Sequence, residues 1–346
     1  MSEGQMDDER YLWDRSGEPD AEIVRLEALL SPLRHRGQPL GVRPRPPVRR
    51  WVRMLVPALA VAAMMFLVAS AAWFSWTARR DGWDVQRVGG APVVSGVRVA
   101  GNRGRDGARL AVGGWLVTDG ASRARIEVGE IGEVEVDPNT RLQLVTSSGR
   151  EHRMALARGT IHATIWAPPK FFFVDTPSAV AVDLGCAYTL QVADDGSGMV
   201  RVTHGWVGFQ SGAREVFIPE GAVCSTRRGN GPGTPRYEDA PAGYAGALAV
   251  LDFSDAGDAR RASALDVVLS RARPRDALTL WHLLRRGSLD ERRLVYERMA
   301  VLAPPPDGVT REAVLAGDRA ALDRWWDALG LESTTWWRLW KRDWEK

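Results

Sequence analysis

The sequence predicts a multi-domain α+β protein: a single transmembrane helix, then an all-β sandwich or rolled sheet, then a small all-α domain at the carboxyl end. Three observations predict this. Met54 to Trp76 is a run of 23 residues without a charge. Residues 83–226 alternate apolar and polar side chains in short runs, and beyond residue 246 apolar residues recur at helical spacing.

Composition bounds the answer first. With 45% hydrophobic and 26% charged residues among 346, the chain has enough apolar content for packed domains and is neither fibrous nor disordered in composition. The net charge is +3, the arginines are spread, and the only lysines are Lys170, Lys341 and Lys346. No basic stripe of the kind that tracks a phosphate backbone stands out, so no nucleic-acid partner is expected.

Residues 1–36 predict a short amphipathic helix. Ser16-Gly17-Glu18-Pro19-Asp20 is a helix-start signal, and Ile23, Leu26, Leu30 and Leu33 follow at helical spacing until Ser31-Pro32 weakens the run. A lone helix of this length is marginal in water. Its stripe therefore needs a partner, a second copy, or remains unfolded until one arrives, and Tyr11, Trp13, Ile23, Leu26 and Leu30 are the contact candidates. Residues 37–53 form a Pro/Arg-rich juxtamembrane linker, stiffened by Pro44, Pro46 and Pro47.

The run 54–76 has the length of a spanning helix, roughly 34 Å against a hydrocarbon core of about 30 Å. Ala69-Ser70-Ala71 resembles a signal-peptide cleavage site, but the charged stretch ahead is long and the apolar run exceeds a signal core. Seven arginines and no acid lie between Arg34 and Arg53, whereas Thr77 to Gly96 mixes Arg79, Arg80 and Arg87 with Asp81 and Asp84. The amino end is expected in the cytoplasm. Trp51, Trp73 and Trp76 suit the two interfaces.

Within 83–226, Ala124, Ile126 and Val128 alternate with Arg123, Arg125 and Glu127, and Val134 and Val136 with Glu133 and Glu135. Asp137-Pro138-Asn139, Ser148-Gly149 and Asp194-Asp195-Gly196 supply turns. Residues 227–245 read as a Gly/Pro linker. In the helical domain, 246–346, Pro274 and Asp276 open one helix, Ser288 with Glu291 forms a capping box, and Asp318 caps a helix that Gly330 stops. Trp336, Trp337, Trp340 and Trp344 lie near one face of a last helix. They are candidates for docking on a membrane or partner, or else they close the helical domain.

The sequence carries no catalytic pattern of the common kinds. His35, His152, His162, His204 and His282 show no metal-ligand spacing, and there is no nucleophile elbow or phosphate-binding loop. No cofactor and no enzymatic activity are expected. Cys186 and Cys224 fall on the exported side, where they either form a disulfide or remain as buried thiols.

An ordered set of motifs gives the strand region a family. Gly114-Trp115-Leu116-Val117-Thr118, Gly132 through Leu142, Gly159-Thr160-Ile161, Phe173 through Ala179, Asp183 through Tyr188, and Gly205-Trp206-Val207 resemble the FecR domain. That domain is the exported half of membrane-bound regulators of extracytoplasmic-function sigma factors. The resemblance implies a single-pass bacterial inner-membrane protein with its bulk in the periplasm, an anti-sigma type of signal transduction, and a cytoplasmic sigma factor as partner. It also implies a periplasmic protein or outer-membrane receptor on the other side. Cys186 stands where the family usually has Thr, and one amphipathic helix stands where it usually has a larger amino-terminal domain. A non-regulatory envelope scaffold, binding glycan or protein and anchored by the amino-terminal helix, is the alternative.

Overall fold

A strand with one wet face needs alternating side chains, and Arg123–Val128 meets that need: Ala124, Ile126 and Val128 are buried while Arg123 and Glu127 are exposed. The computed structural model describes residues 16–34, 37, 63–68, 70, 82–99, 108–212 and 214–331. It divides into two units, residues 1–68 and 69–346.

In the first unit, α1 (Ala21–Leu30) runs into a tight 3-10 turn at Ser31–Leu33, where Pro32 ends the regular helix as expected. Residues 63–68 are helical and their side chains, Met64 through Val68, are exposed. They belong to the apolar run 54–76, the rest of which, Ser70 apart, lies outside the described residues. Among the described residues no helix is long and apolar enough to cross a membrane.

The second unit is built on β1 (Gly82–Gly89), β2 (Val93–Val94), β3 (Val97–Arg98), β4 (Ala108–Ala111), β5 (Trp115–Val117), β6 (Arg123–Val128), β7 (Gly132–Val136), β8 (Arg141–Ser147) and β9 (His152–Ile165). It continues through β10 (Phe172–Asp175), β11 (Val180–Asp183), β12 (Ala187–Val192), β13 (Gly198–His204), β14 (Trp206–Ser211), β15 (Arg214–Pro219) and β16 (Ala222–Arg227). One face follows the order β4-β1-β6-β7-β9-β12-β13-β16. The other follows β3-β2-β5-β8-β9-β10-β11-β14-β15. Both are antiparallel except where β10 runs parallel to β9.

The two faces share β9. Its first half pairs with β8 and β10, its second half with β7 and β12. Burial changes phase between the halves, from His152, Met154 and Leu156 to Ile161, Ala163 and Ile165. The strand turns over at Arg158-Gly159-Thr160, so both halves point inward. Trp83 from β1 then meets Phe172 from β10 with ring centroids 6.3 Å apart, side chains of the two faces packing into one core.

Threonines tie down the crossing. The Thr118 hydroxyl donates to the Asp137 carbonyl at 2.7 Å and accepts from the Thr140 N–H at 2.9 Å. The Thr140 hydroxyl in turn accepts from the Thr160 N–H at 3.0 Å, and the Asp137 N–H reaches the Thr160 carbonyl. Asn139 turns the chain here with φ of 57°, in the left-handed region that Asn tolerates. Gly159, at φ 98°, lies so close to Thr140 that a Cβ there would overlap it.

The segment 227–245, expected as a linker, is instead part of the sheet edge. It carries β17 (Gly231–Pro232) and β18 (Arg236–Tyr237), both paired with β16, and Gly231 through Pro235 are buried. Its glycines serve close approach: a Cβ on Gly233 would stand 2.8 Å from the Asp252 carboxylate. Composition alone does not distinguish that use of glycine from a loose connector.

Beyond it lie α2 (Tyr244–Phe253), α3 (Arg260–Arg271), α4 (Ala277–Leu284), α5 (Leu289–Leu302), α6 (Arg311–Ala316) and α7 (Arg319–Ala328). The capping box holds, with Ser288 Oγ accepting from the Glu291 N–H and Glu291 Oε2 from the Ser288 N–H. Asp318 caps α7 through the Ala321 N–H. These helices form one unit with the sheet instead of a separate domain. Val216, Phe217 and Ile218 on β15 are all buried, the pattern of a strand covered on both faces. Trp206 on β14 packs against Trp326 at 6.1 Å, and Trp326 against Trp281 at 4.6 Å.

Gly159→Ala is expected to cost roughly 2–4 kcal/mol, from an L side chain at positive φ and overlap with Thr140. The matched control is Gly149→Ala, where nothing lies within 4 Å. Urea unfolding of both variants measures the difference, and equal midpoints would show that the crossing tolerates a side chain.

Candidate functional site

Of the residues expected to meet a cytoplasmic partner, Ile23, Leu26 and Leu30 lie on α1, and Tyr11 and Trp13 lie outside the described residues. Spacings of three and four place the three side chains on one helical face. None is buried: Leu26 is 53% and Leu30 56% exposed. Glu18, Asp20, Glu22 and Glu27 outnumber Arg25 around them. An uncovered apolar stripe bordered by acids suits a partner groove with an apolar floor and basic rims. Trp336, Trp337, Trp340 and Trp344 also lie outside the described residues.

The two cysteines are buried free thiols. Both neighbour β13, but from opposite sides: Ala187, next to Cys186, pairs with His204, whereas Cys224 pairs with Val200. Cys186 stands beside Gly205, so five residues along a strand and two strand spacings across it separate the cysteines by roughly 19 Å. A disulfide needs Cα atoms within about 7 Å, so register prevents an intrachain bridge in this fold.

Each thiol has its own partner. Cys186 Sγ donates to Asp183 Oδ2 at 2.7 Å, and the Gly185 N–H reaches Asp183 Oδ1 at 2.7 Å. Burial pushes the Asp183 carboxyl up to about 7, against the opposing pull of those hydrogen bonds. Burial, with Asp183 close by, also pushes the Cys186 thiol well up. It is therefore a poor nucleophile. Cys224 Sγ donates to the Gly233 carbonyl at 3.5 Å, and its burial raises it to about 12.

At the junction of sheet and helices, His282 Nδ1 donates to the Leu278 carbonyl at 2.8 Å and Nε2 accepts from the Phe217 N–H at 3.4 Å. Burial holds this imidazole neutral, well below its ordinary pKa. Beside it a polar cluster forms that spacing in the sequence does not reveal. Asp252 accepts from the Thr234 N–H at 2.7 Å and its hydroxyl at 2.6 Å, and Arg286 Nη1 reaches Asp252 Oδ1 at 3.2 Å. Arg286 is half-buried, and desolvation lowers its pKa against the attraction of Asp252. Asp252 and Arg286 border a cavity of about 420 Å³.

On the solvent face of the sheet, His162 stands between Asp137 at 2.9 Å and Thr189 at 3.0 Å. Register creates this trio by pairing Thr189 with His162 across β12 and β9. The imidazole is 44% exposed and Arg123 shares the Asp137 carboxylate. Such a trio orients a ring on open strand surface. Among the described residues, no three His, Cys, Asp or Glu side chains are placed to hold a metal ion.

The FecR protein family matches this chain at residues 115–208. Those residues form a FecR domain. It begins at β5 and ends within β14, so it contains the threonine corner, the whole of β9 and the Asp183–Cys186 pair, while β15 to β18 and α2 to α7 lie outside it. No curated protein matches the sequence. Two crystal structures of a candidate anti-sigma factor from Parabacteroides distasonis align at a TM-score of 0.32 and 16% identity. One alignment covers 38% of this chain and 63% of the other, and the second covers 45% and 73%. The chain thus spans less than two thirds of the first of these structures.

Within the FecR domain, Asp183 makes stability depend on pH. A carboxyl that holds its proton up to about 7 in the fold, but only to about 4 when unfolded, favours the fold most at low pH. The contribution fades between pH 4 and 7, at no more than about 1.4 kcal/mol per pH unit. His282 acts oppositely, losing its contribution as pH falls below about 6.5. The wild type is therefore expected to lose stability relative to Asp183→Asn as pH rises from 4 to 7. Denaturant melts of both proteins at four pH values check this, and a constant difference would refute it.

Proposed function

We propose that this chain is a non-catalytic, single-pass regulator of the bacterial inner membrane. Its FecR-containing body lies in the periplasm and its amino end in the cytoplasm, where α1 holds a sigma factor in the manner of an anti-sigma factor. The FecR domain at residues 115–208 carries this reading. The uncharged run 54–76 and the arginine asymmetry around it support the topology. The exposed Leu26 and Leu30 support a partner on α1. Signal passes when a periplasmic ligand or protein changes the population of a state in which α1 is held or released, or when the chain is cut between the two compartments.

Leu26→Asp places a charge at the centre of the α1 stripe, and the full-length variant is expected to retain less than a tenth of the sigma factor that copurifies with the wild type. Transcription from that factor's promoters changes in parallel. Protease added to intact spheroplasts is expected to digest the FecR domain and spare the first fifty residues. A protected FecR domain, or undiminished sigma-factor recovery with Leu26→Asp, overturns the reading.

A further inference from the structure

The cavity beside α2, α3, α4 and α5 is lined by three arginines, Arg214, Arg261 and Arg286, and two acids, Asp252 and Glu291. The pairings leave positive charge unspent. Arg261 is consumed, with Nε and Nη2 on Glu291 at 3.0 and 2.9 Å and Nη1 on the Leu251 carbonyl at 2.9 Å. Asp252 already accepts two hydrogen bonds from Thr234, and Arg286 donates through Nη1 alone, to Asp252 Oδ1 at 3.2 Å and to the neutral Thr234 hydroxyl at 3.4 Å. Arg214 donates through Nη1 to a neutral carbonyl, that of Asn230. Its strand neighbour Glu215 acts on Arg285, which does not line the cavity.

Arg214 and Arg286 line the same recess, the charge of Arg214 works against that of Arg286, and Arg286 is largely removed from water. Two guanidinium groups held together in a partly dry recess are relieved by an anion, and their planar N–H pairs fit the paired oxygens of a carboxylate or phosphate. The remaining wall is apolar, from Leu251, Leu265, Leu283 and Val295. At about 420 Å³ the space is within the range of small-molecule sites.

We propose that this cavity binds a small amphiphile, with an oxyanion head on Arg214 and Arg286 and an apolar tail against Leu251, Leu265, Leu283 and Val295. The site lies outside residues 115–208 and needs neither the membrane topology nor a sigma factor to operate. Bound there, the ligand would bridge β15 to α4 and so stiffen the contact of helices and sheet.

Titration calorimetry of the purified full-length chain tests this with hexanoate, hexyl phosphate, hexanol and inorganic phosphate. Saturable binding of hexanoate or hexyl phosphate, at least tenfold tighter than hexanol and inorganic phosphate, is the expected result, and the stronger of the two identifies the head group. Arg214 is exposed, so Arg214→Gln is expected to fold normally while weakening that binding at least tenfold, and Arg214→Lys to retain more of it. Four results overturn the proposal: no saturable binding of either amphiphile, equal binding of hexanol, inorganic phosphate as strong as hexyl phosphate, or Arg214→Gln indistinguishable from wild type at an unchanged melting temperature.

Discussion

The structure depends on one strand changing sheets. β9 supplies its first half to one face and its second half to the other, and the exchange requires a residue free to take φ near 98° directly against Thr140. Around it the hydroxyls of Thr118 and Thr140 satisfy backbone groups of Asp137, Thr140 and Thr160 that a broken ladder would leave without partners. An unsatisfied buried group costs about 1–3 kcal/mol. Two threonine side chains of small volume, Thr118 and Thr140, do this without enlarging the corner. The same three segments, Gly114–Thr118, Asp137–Leu142 and Gly159–Ile161, are among those by which the chain resembles the FecR domain, which gives that part of the resemblance a physical cause.

The second constraint is the cover over β14 and β15. A strand apolar on both faces has to be roofed, and α4 and α7 do so with Trp326 against Trp206 and Trp281 against Trp326. Their polar ends are provided for as well: Trp281 Nε1 donates to the Leu322 carbonyl and Thr279 to the Pro235 carbonyl. Burial at this seam is bought with charged and polar groups, since Asp252, Thr234, Arg286 and His282 all lie along it. Breaking such a buried pair costs more than its formation contributes. The seam therefore has the character of a specified contact, with a cavity beside it.

Much of this was legible in the residues. The half-buried strands, the turns at Asp137–Asn139 and Ser148–Gly149, the Ser288–Glu291 box, the Asp318 cap and the helix at 21–30 are local consequences of side-chain period and backbone preference. Contacts between distant segments were not legible. The Thr234–Asp252–Arg286 cluster joins residues 18 and 34 positions apart, and the His162 trio exists because β9 and β12 pair in one register and not another. The cysteine pair shows the same limit: compartment and number allowed a bridge, and strand register separated the thiols.

By itself the sequence determined the kind of structure each stretch makes, because alternation, caps and left-handed turn positions act within a few residues of the atoms they govern. It also determined the family of the strand region, since the corners of that fold demand Gly, Asn and Thr at set intervals. The tertiary structure alone decided that the glycine-rich segment 227–245 would be a sheet edge, that the helices would form one body with the strands, and that Arg214 and Arg286 would face one recess. Those outcomes rest on which surfaces meet, and no local preference encodes the identity of a partner two hundred residues, or even twenty, away.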